Sequence, residues 1–241
     1  MSIGDYSQSY ITDAPCNPAS EAYKFYDQTV PTFPNEGVYI YSFEEGRMLY
    51  AKGWEDTLGY KAKEINMLAI TNMSAPKYAT FVHELNDKAL MFILGKKTKL
   101  ESYGFAIEFK MNHKDGHEVP VKATVRVFDG SGGAVRAIIG RFQVDHSLRF
   151  GNVMRYSGYG PDKDEFEEAL NKTIFKDLTI SGKEKEALNY VAKGFTFKQI
   201  ALELNVSQSA IEKRILPLYK RFNVKSLSHL VSFAYDNHIL P

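Results

Sequence analysis

The stretch from Thr196 to Phe222, TFKQIALELNVSQSAIEKRILPLYKRF, limits what this chain can fold into more than any other. Ile200, Ala201 and Leu204 fall on one helical stripe, and Asn205-Val206-Ser207 interrupts it. Ile211, Ile215, Leu218 and Phe222 then resume the pattern at spacings of four, three and four, one face of a second helix. Two short helices joined by a tight turn cannot bury that stripe alone, so the segment belongs to a small helical domain. Ser207 suits the N-cap of the second helix, its hydroxyl accepting from an otherwise unpaired first-turn N–H. On the face opposite the stripe, Ser209, Lys213 and Lys220 lie farthest from the core, with Gln208, Glu212 and Arg214 toward the flanks. A polar, mostly basic ridge on a helix held down by its back is how a helix-turn-helix offers its second helix to the major groove.

From Ile180 to Ala234 the chain resembles the LuxR/GerE (NarL/FixJ-type) helix-turn-helix domain. ISGKEKEAL and AKG form its opening helix, KQIALEL the scaffold helix, and Val206-Ser207 with Ile211 the start of the recognition helix. KRFNVKS closes that helix, and Leu230-Val231 with Ala234 marks the fourth. The resemblance covers a whole domain in order, without a gap. It implies that Gln208, Ser209, Glu212 and Lys213 reach the groove floor beside the Ser207 cap, while Lys198, Arg214 and Lys220 meet phosphates. Gln bonds adenine in a bidentate fashion and Glu accepts from a cytosine amine, whereas lysines neutralise the backbone. The alternative for each is an exposed polar side chain with no task; DNA contact is the favoured reading for Lys213 and Arg214, and the two readings are even for Glu212, because an acid near phosphates costs affinity unless it reads a base. Three positions depart from the family: Ala210 replaces a hydroxyl residue, Glu212 stands where a basic or neutral one is usual, and Pro217 falls inside the recognition helix. Pro217 removes one N–H and crowds the Lys213 carbonyl, so a bend without loss of the helix is expected.

Charge agrees with this reading. The 241 residues carry a net +1, yet Leu178 to the end holds nine Lys/Arg against five Asp/Glu, or +4, which leaves −3 for the rest. The basic part is the helix-turn-helix part, as phosphate binding requires. No run approaches the roughly 18 apolar residues that span a bilayer, and MSIGDYSQSY has neither basic start nor apolar core. A cytoplasmic protein is expected. Cys16 is the single cysteine, so an internal disulfide or thiolate metal cage is excluded.

Residues 1–34 read as a flanking segment, with one short helix over Ser20–Val30. From Gly37 the texture becomes β-rich: strands at 38–43 and 47–51, helical turns over 54–65, and a long helix from Pro76 to Leu94 stopped by Gly95. Its apolar side is read as Phe81, Leu85, Ala89 and Phe92, with Val82 and Ile93 beside them. Strands at 104–111, 118–128 and 134–144 follow, joined by Asp-Gly turns. This order, through GVYIYSFEEGRMLYAKGWEDTLGYKAKEI and FKMNHKDGHEVPVKATVRVFDGSGGAVRAIIGRFQVD, resembles a PAS domain over 35–146, with Lys52-Gly53 where many relatives have Asn-Pro. The family implies a five-stranded antiparallel sheet that encloses a small ligand or packs shut, and dimerisation through sheet and flanking helices.

Candidate pocket residues are Tyr39, Tyr41, Tyr50, Trp54, Phe81 and Phe92, with Phe105 and Phe109 beside them, although alternating aromatic residues in strands are usually core. No cofactor is required. A flavin photoadduct needs a pocket cysteine, which Cys16 is not, and a haem would have only His83 as axial ligand. His113 and His117 flank a hairpin turn and could in principle bind a metal together, but with no carboxylate or thiolate partner at ligand spacing they read as solvated turn residues and no metal is expected. Residues 147–177 read as a linker: Arg155–Pro161 is punctuated by glycine and proline, and 164–175 can form a helix on an Asp cap with Phe166, Leu170, Ile174 and Phe175 inward.

The expectation is an α+β chain, a PAS sensor followed by a four-helix DNA-binding domain over 178–241, dimeric on duplex DNA and free of membrane. It is a transcriptional regulator, with no catalytic constellation such as Ser/His/Asp or a nucleotide-cradling glycine loop. The alternative is a ligand- or haem-binding sensor whose helix-turn-helix mediates protein association.

Overall fold

The computed structural model describes residues 9–148, 150, 155–174, 180–236, 239 and 240, the side chains of 169–174 excepted. The architecture is α+β, in two compact units: Met1–Leu148 with Tyr156–Leu170, and Arg149–Arg155 with Asn171–Pro241. Nothing long and apolar enough to cross a membrane occurs among the helices of the described residues.

The first unit begins with helix α1 (Glu21–Thr29), capped by Ser20, whose hydroxyl accepts from Tyr23 N. Strands β1 (Glu36–Ser42) and β2 (Arg47–Lys52) form a hairpin. The short helices α2 (Trp54–Leu58) and α3 (Met67–Asn72) follow, and then α4 (Pro76–Leu94), with proline in its first turn and Gly95 at its end. Strands β3 (Gly104–Asn112), β4 (Glu118–Asp129) and β5 (Ala137–Val144) make a meander. Closure comes from β5 pairing with β1, Tyr39 opposite Gly140, so the sheet order is β2-β1-β5-β4-β3. Two strands, small helices, one long helix and three strands is the PAS order implied by the sequence.

Burial along β4 alternates strictly, Val119, Val121, Ala123, Val125 and Val127 facing the helices. In contrast β1 is buried at every position. Its second face is covered by α1, with Val38, Ile40, Tyr50 and Ala137 packed against Tyr23, Tyr26 and Val30. The Lys52-Gly53 departure has a steric cause: Gly53 sits at φ +78°, and a Cβ there would lie 2.0 Å from the Glu36 carbonyl oxygen.

One element corrects the sequence reading. Arg155–Tyr159, placed in the linker for its glycines, is a sixth strand, β6, beside β3. It leads into α5 (Lys163–Ile174). The glycines serve close packing. A Cβ at Gly158 would meet the Phe166 ring at 2.9 Å, and one at Gly160, where φ is +123°, would meet Tyr103 at 2.4 Å. Asp162 secures the segment, accepting from Lys96 Nζ at 2.7 Å and from the Tyr103 hydroxyl at 2.8 Å. Of the apolar side expected for α5, Phe166 is buried, whereas Leu170 and Ile174 belong to the excepted side chains and Phe175 lies outside the described residues.

The second unit holds α6 (Gly182–Ala192), α7 (Phe197–Glu203), α8 (Gln208–Arg221) and α9 (Leu227–Asp236). Its core joins Leu188, Ile200, Ile211, Ile215, Leu218, Phe222 and Leu230, among others. Fully burying such a side chain contributes roughly 1.5–3 kcal/mol. Capping boxes start α6 (Ser181 with Glu184) and α7 (Thr196 with Gln199). Arg221 adds a 3.1 Å bond to Glu184. Burial raises the pKa of this carboxyl, but the Ser181 N–H and hydroxyl and Arg221 outweigh it, so the net shift is downward.

Candidate nucleic-acid interface and sensor cavity

Helix α8 is built as the periodicity predicts. Ser207 accepts from Ala210 N at 3.2 Å and caps it, and Ile211, Ile215 and Leu218 are wholly buried. Ser207, Gln208, Ser209, Lys213 and Lys220 are exposed on the other side, and Lys198 is exposed on α7. The helix continues through Pro217 to Arg221, so proline does not end it.

Two flanking residues are more engaged than the ridge. Gln208 donates to Glu212 at 2.9 Å, one turn apart. Arg214, expected to meet phosphate, has a side chain only 18% exposed, with Nη1 3.8 Å from Glu186 on α6. Its charge is directed at its own domain. The helical wheel puts Arg214 on the flank without showing that α6 presents an acid there.

The first unit contains a narrow cavity of about 30 Å³, room for one or two waters, between the sheet and helices α3 and α4. Tyr39, Phe105, Phe109 and Phe142 line it from the sheet, Met67 and Ile70 from α3, and Val82, Leu85 and Asn86 from α4. Of the six pocket candidates, Tyr39 alone is in this lining. Its hydroxyl is pushed well above the usual tyrosine value by complete burial. The ring lies over Gly140, where a Cβ would come within 2.0 Å of it.

The other five candidates sit elsewhere. The Tyr41 hydroxyl donates to the Tyr10 carbonyl and accepts from Thr12 N. Tyr50 packs on Tyr23, ring centroids 5.2 Å apart, beneath α1. Trp54 donates from Nε1 to the Val38 carbonyl at 2.9 Å and leans on Phe142 behind the cavity wall. Phe81 and Phe92 turn toward Tyr156 and Phe166 of the β6–α5 segment. Helix α4 buries Val82, Leu85, Ala89 and Ile93 of the side read in sequence, together with Tyr78 and Leu90, while Phe81 and Phe92 are half-buried.

Sequence reasoning missed Ser74. It lines the cavity, is buried, and among the described residues its hydroxyl has no hydrogen-bond partner. A lone serine before a helix carries no signal of this kind. His83 faces the Thr71 carbonyl at 3.3 Å and is outside the lining. The hairpin histidines require a correction, since a carboxylate does stand at ligand spacing: His113, Asp115 and His117 bring their ligand atoms within 4.8 Å of one another. Alternation at 113, 115 and 117 across a tight turn was the available signal.

Residues 178–234 match the family model described as bacterial regulatory proteins, luxR family. Two curated relatives are each named probable transcriptional regulator ycf29. That of Porphyra purpurea is 33% identical over 67 residues, 28% of this chain and 32% of the relative. The protein from Cyanophora paradoxa is 30% identical over 63 residues, 26% and 30% of the two chains. This chain thus spans about a third of the length of the curated relatives it matches. Among solved structures, the phage VqmA–DPO complex is 16% identical with a TM-score of 0.36, covering 86% of this chain and 85% of that one. A Vibrio cholerae VqmA dimer in the absence of target DNA is 15% identical with a TM-score of 0.35, covering 88% and 86%. The PAS domain of a Colwellia psychrerythraea protein is 15% identical with a TM-score of 0.37, covering 47% and 89%.

Proposed function

We propose that this chain, whose residues 178–234 are a LuxR-family helix-turn-helix domain, is a cytoplasmic transcriptional regulator that reads duplex DNA with the first turns of α8. The observation that carries the reading is the division of that helix, buried along Ile211, Ile215 and Leu218 and exposed along Gln208, Ser209, Lys213 and Lys220. The names of the curated relatives support it.

In this reading Lys198, Lys213 and Lys220 neutralise phosphates and give the affinity. Gln208 and Ser209 face base edges. Having given one N–H to Glu212, the Gln208 amide keeps a second N–H and its oxygen, the pair that adenine takes. Glu212 acts mainly by holding that amide, and Arg214 supports the helix through α6. Two copies bind an inverted repeat as a two-fold pair. The cavity as it stands admits only a few atoms, so a ligand there would have to widen it; the Ser74 hydroxyl, one of the buried polar atoms with no partner among the described residues, would offer such a ligand one hydrogen bond. No reaction is assigned to the protein.

The test is selection of a duplex from a random pool, followed by binding to it across a salt series. Lys213→Ala with Lys220→Ala should weaken binding and flatten the salt slope by about one per lysine. Unchanged affinity and slope would overturn the assignment.

A further inference from the structure

We propose that the β3–β4 hairpin turn is a surface site for one divalent transition-metal ion of the zinc or nickel class, ligated by His113, Asp115 and His117. The backbone builds it. His113 N donates to the His117 carbonyl at 2.8 Å and Gly116 N to the His113 carbonyl at 2.9 Å, closing a three-residue loop of Lys114, Asp115 and Gly116, with Gly116 at φ +98°. The two histidines are therefore cross-strand neighbours with side chains on one face. Their rings stack, centroids 4.5 Å apart and planes 22° from parallel. Asp115 at the loop tip is turned back over them, its Oδ1 accepting from His117 N at 3.2 Å.

The cluster gathers three metal-ligating groups in one place. Asp115 N–H points at His113 Nδ1 from 3.2 Å, so that nitrogen offers a lone pair. The same nitrogen lies 2.9 Å from Asp115 Oδ1, and His117 Nδ1 lies 2.5 Å from that oxygen. An Nδ1–H of a neutral imidazole can donate to that oxygen, and a metal ion can take the place of this proton. One metal ion would then be shared by both nitrogens and the carboxylate. Two imidazoles and one carboxylate suit zinc and its neighbours and do not suit magnesium or calcium, which take oxygen ligands. With bonds of about 2.0–2.2 Å, ligand atoms within 4.8 Å of one another need only ångström-scale side-chain rotation to share a centre.

The surroundings leave the site open. A Cβ at Gly59 would lie 2.9 Å from His113 Nε2, so the far edge of that ring is against backbone and the Nδ1 edge faces the turn. The one lysine in the loop, Lys114, is held by Glu64 at 2.6 Å and does not compete for Asp115. The Asp115 and His117 side chains are 63% and 59% exposed, so an ion can enter and water can complete its shell.

The full-length protein is dialysed free of metal and titrated calorimetrically with zinc chloride, nickel chloride and magnesium chloride near neutral pH. Zinc and nickel should each bind at one per chain, and magnesium should not bind. His117→Ala and Asp115→Asn, both at exposed positions, should each weaken zinc by at least about tenfold, the scale on which even a supporting residue alters a metal site. His146→Ala, as a control away from the turn, should bind like the parent. Zinc bound substoichiometrically by the parent, retained at full affinity by His117→Ala and Asp115→Asn, or lost equally in His146→Ala would each overturn the proposal.

Discussion

Replacing Pro217 with alanine should stabilise the helix-turn-helix domain. Pro217 is exposed in the tenth position of a 14-residue helix, where it cannot donate to the Lys213 carbonyl. Interior proline costs about 3 kcal/mol relative to alanine, through the missing bond and the crowding of that carbonyl. Two corrections reduce the gain. The orphaned carbonyl is on the solvent side and can be hydrated, and proline also restricts the unfolded chain, worth about 0.4–1 kcal/mol. About 2 kcal/mol remains. For a domain of 60–100 residues each kcal/mol moves the melting temperature by about 4–8 °C, so the shift should be on the order of 8–16 °C. The chain carries its own control, because its single tryptophan, Trp54, is buried in the other unit. Melting followed by circular dichroism at the helical band should show the late shift, while tryptophan fluorescence should melt as in the parent. A helical transition that stays within about 2 °C of the parent, or falls, would refute the reasoning about the proline.

Ser74→Ala removes an unpaired buried hydroxyl, a group that costs roughly 1–3 kcal/mol, and should raise the fluorescence-detected melting temperature of the sensor by at least about 2 °C; a lower value would mean that the hydroxyl is satisfied in solution. Lys96 and then Tyr103 hold the Asp162 carboxyl below its usual value. Its contribution is therefore present above the unfolded value near 4 and is lost as pH falls through the folded value, so the protection factors of β6 amides, taken relative to the intrinsic exchange rate at each pH, should fall below about pH 4. Asp162→Asn should lower those protection factors already at pH 7 and leave them nearly independent of pH in this window.

Much of this was legible in the sequence because it is local. The ends of α4 are written by Pro76 and Gly95, the starts of α1 and α8 by Ser20 and Ser207, and the meander by its Asp-Gly turns. The stripe of α8 needed only its own spacing, and the buried residues are the ones it selects. What escaped depends on a neighbour remote in sequence. Phe81 and Phe92 turn from the cavity because β6 and α5 pack there, and no periodicity within α4 reports that. Gly158 and Gly160 looked like punctuation because a missing side chain reads the same whether it frees a loop or admits an aromatic ring. Arg214 looked free because Glu186 is on another helix.

The three turns of the helix-turn-helix domain share one device. After α6, α7 and α8 a residue takes a left-handed backbone, Gly194 at φ +87°, Asn205 at +51° and Asn223 at +52°. The next residue, Phe195, Val206 or Val224, returns its N–H to the carbonyl of Tyr190, Ala201 or Tyr219 and sets its side chain against the common core. Each change of direction is thereby clasped twice, once by hydrogen bonding and once by grease. A body so jointed resists being reshaped from within, so a substitution in one of its turns should be felt by all four helices.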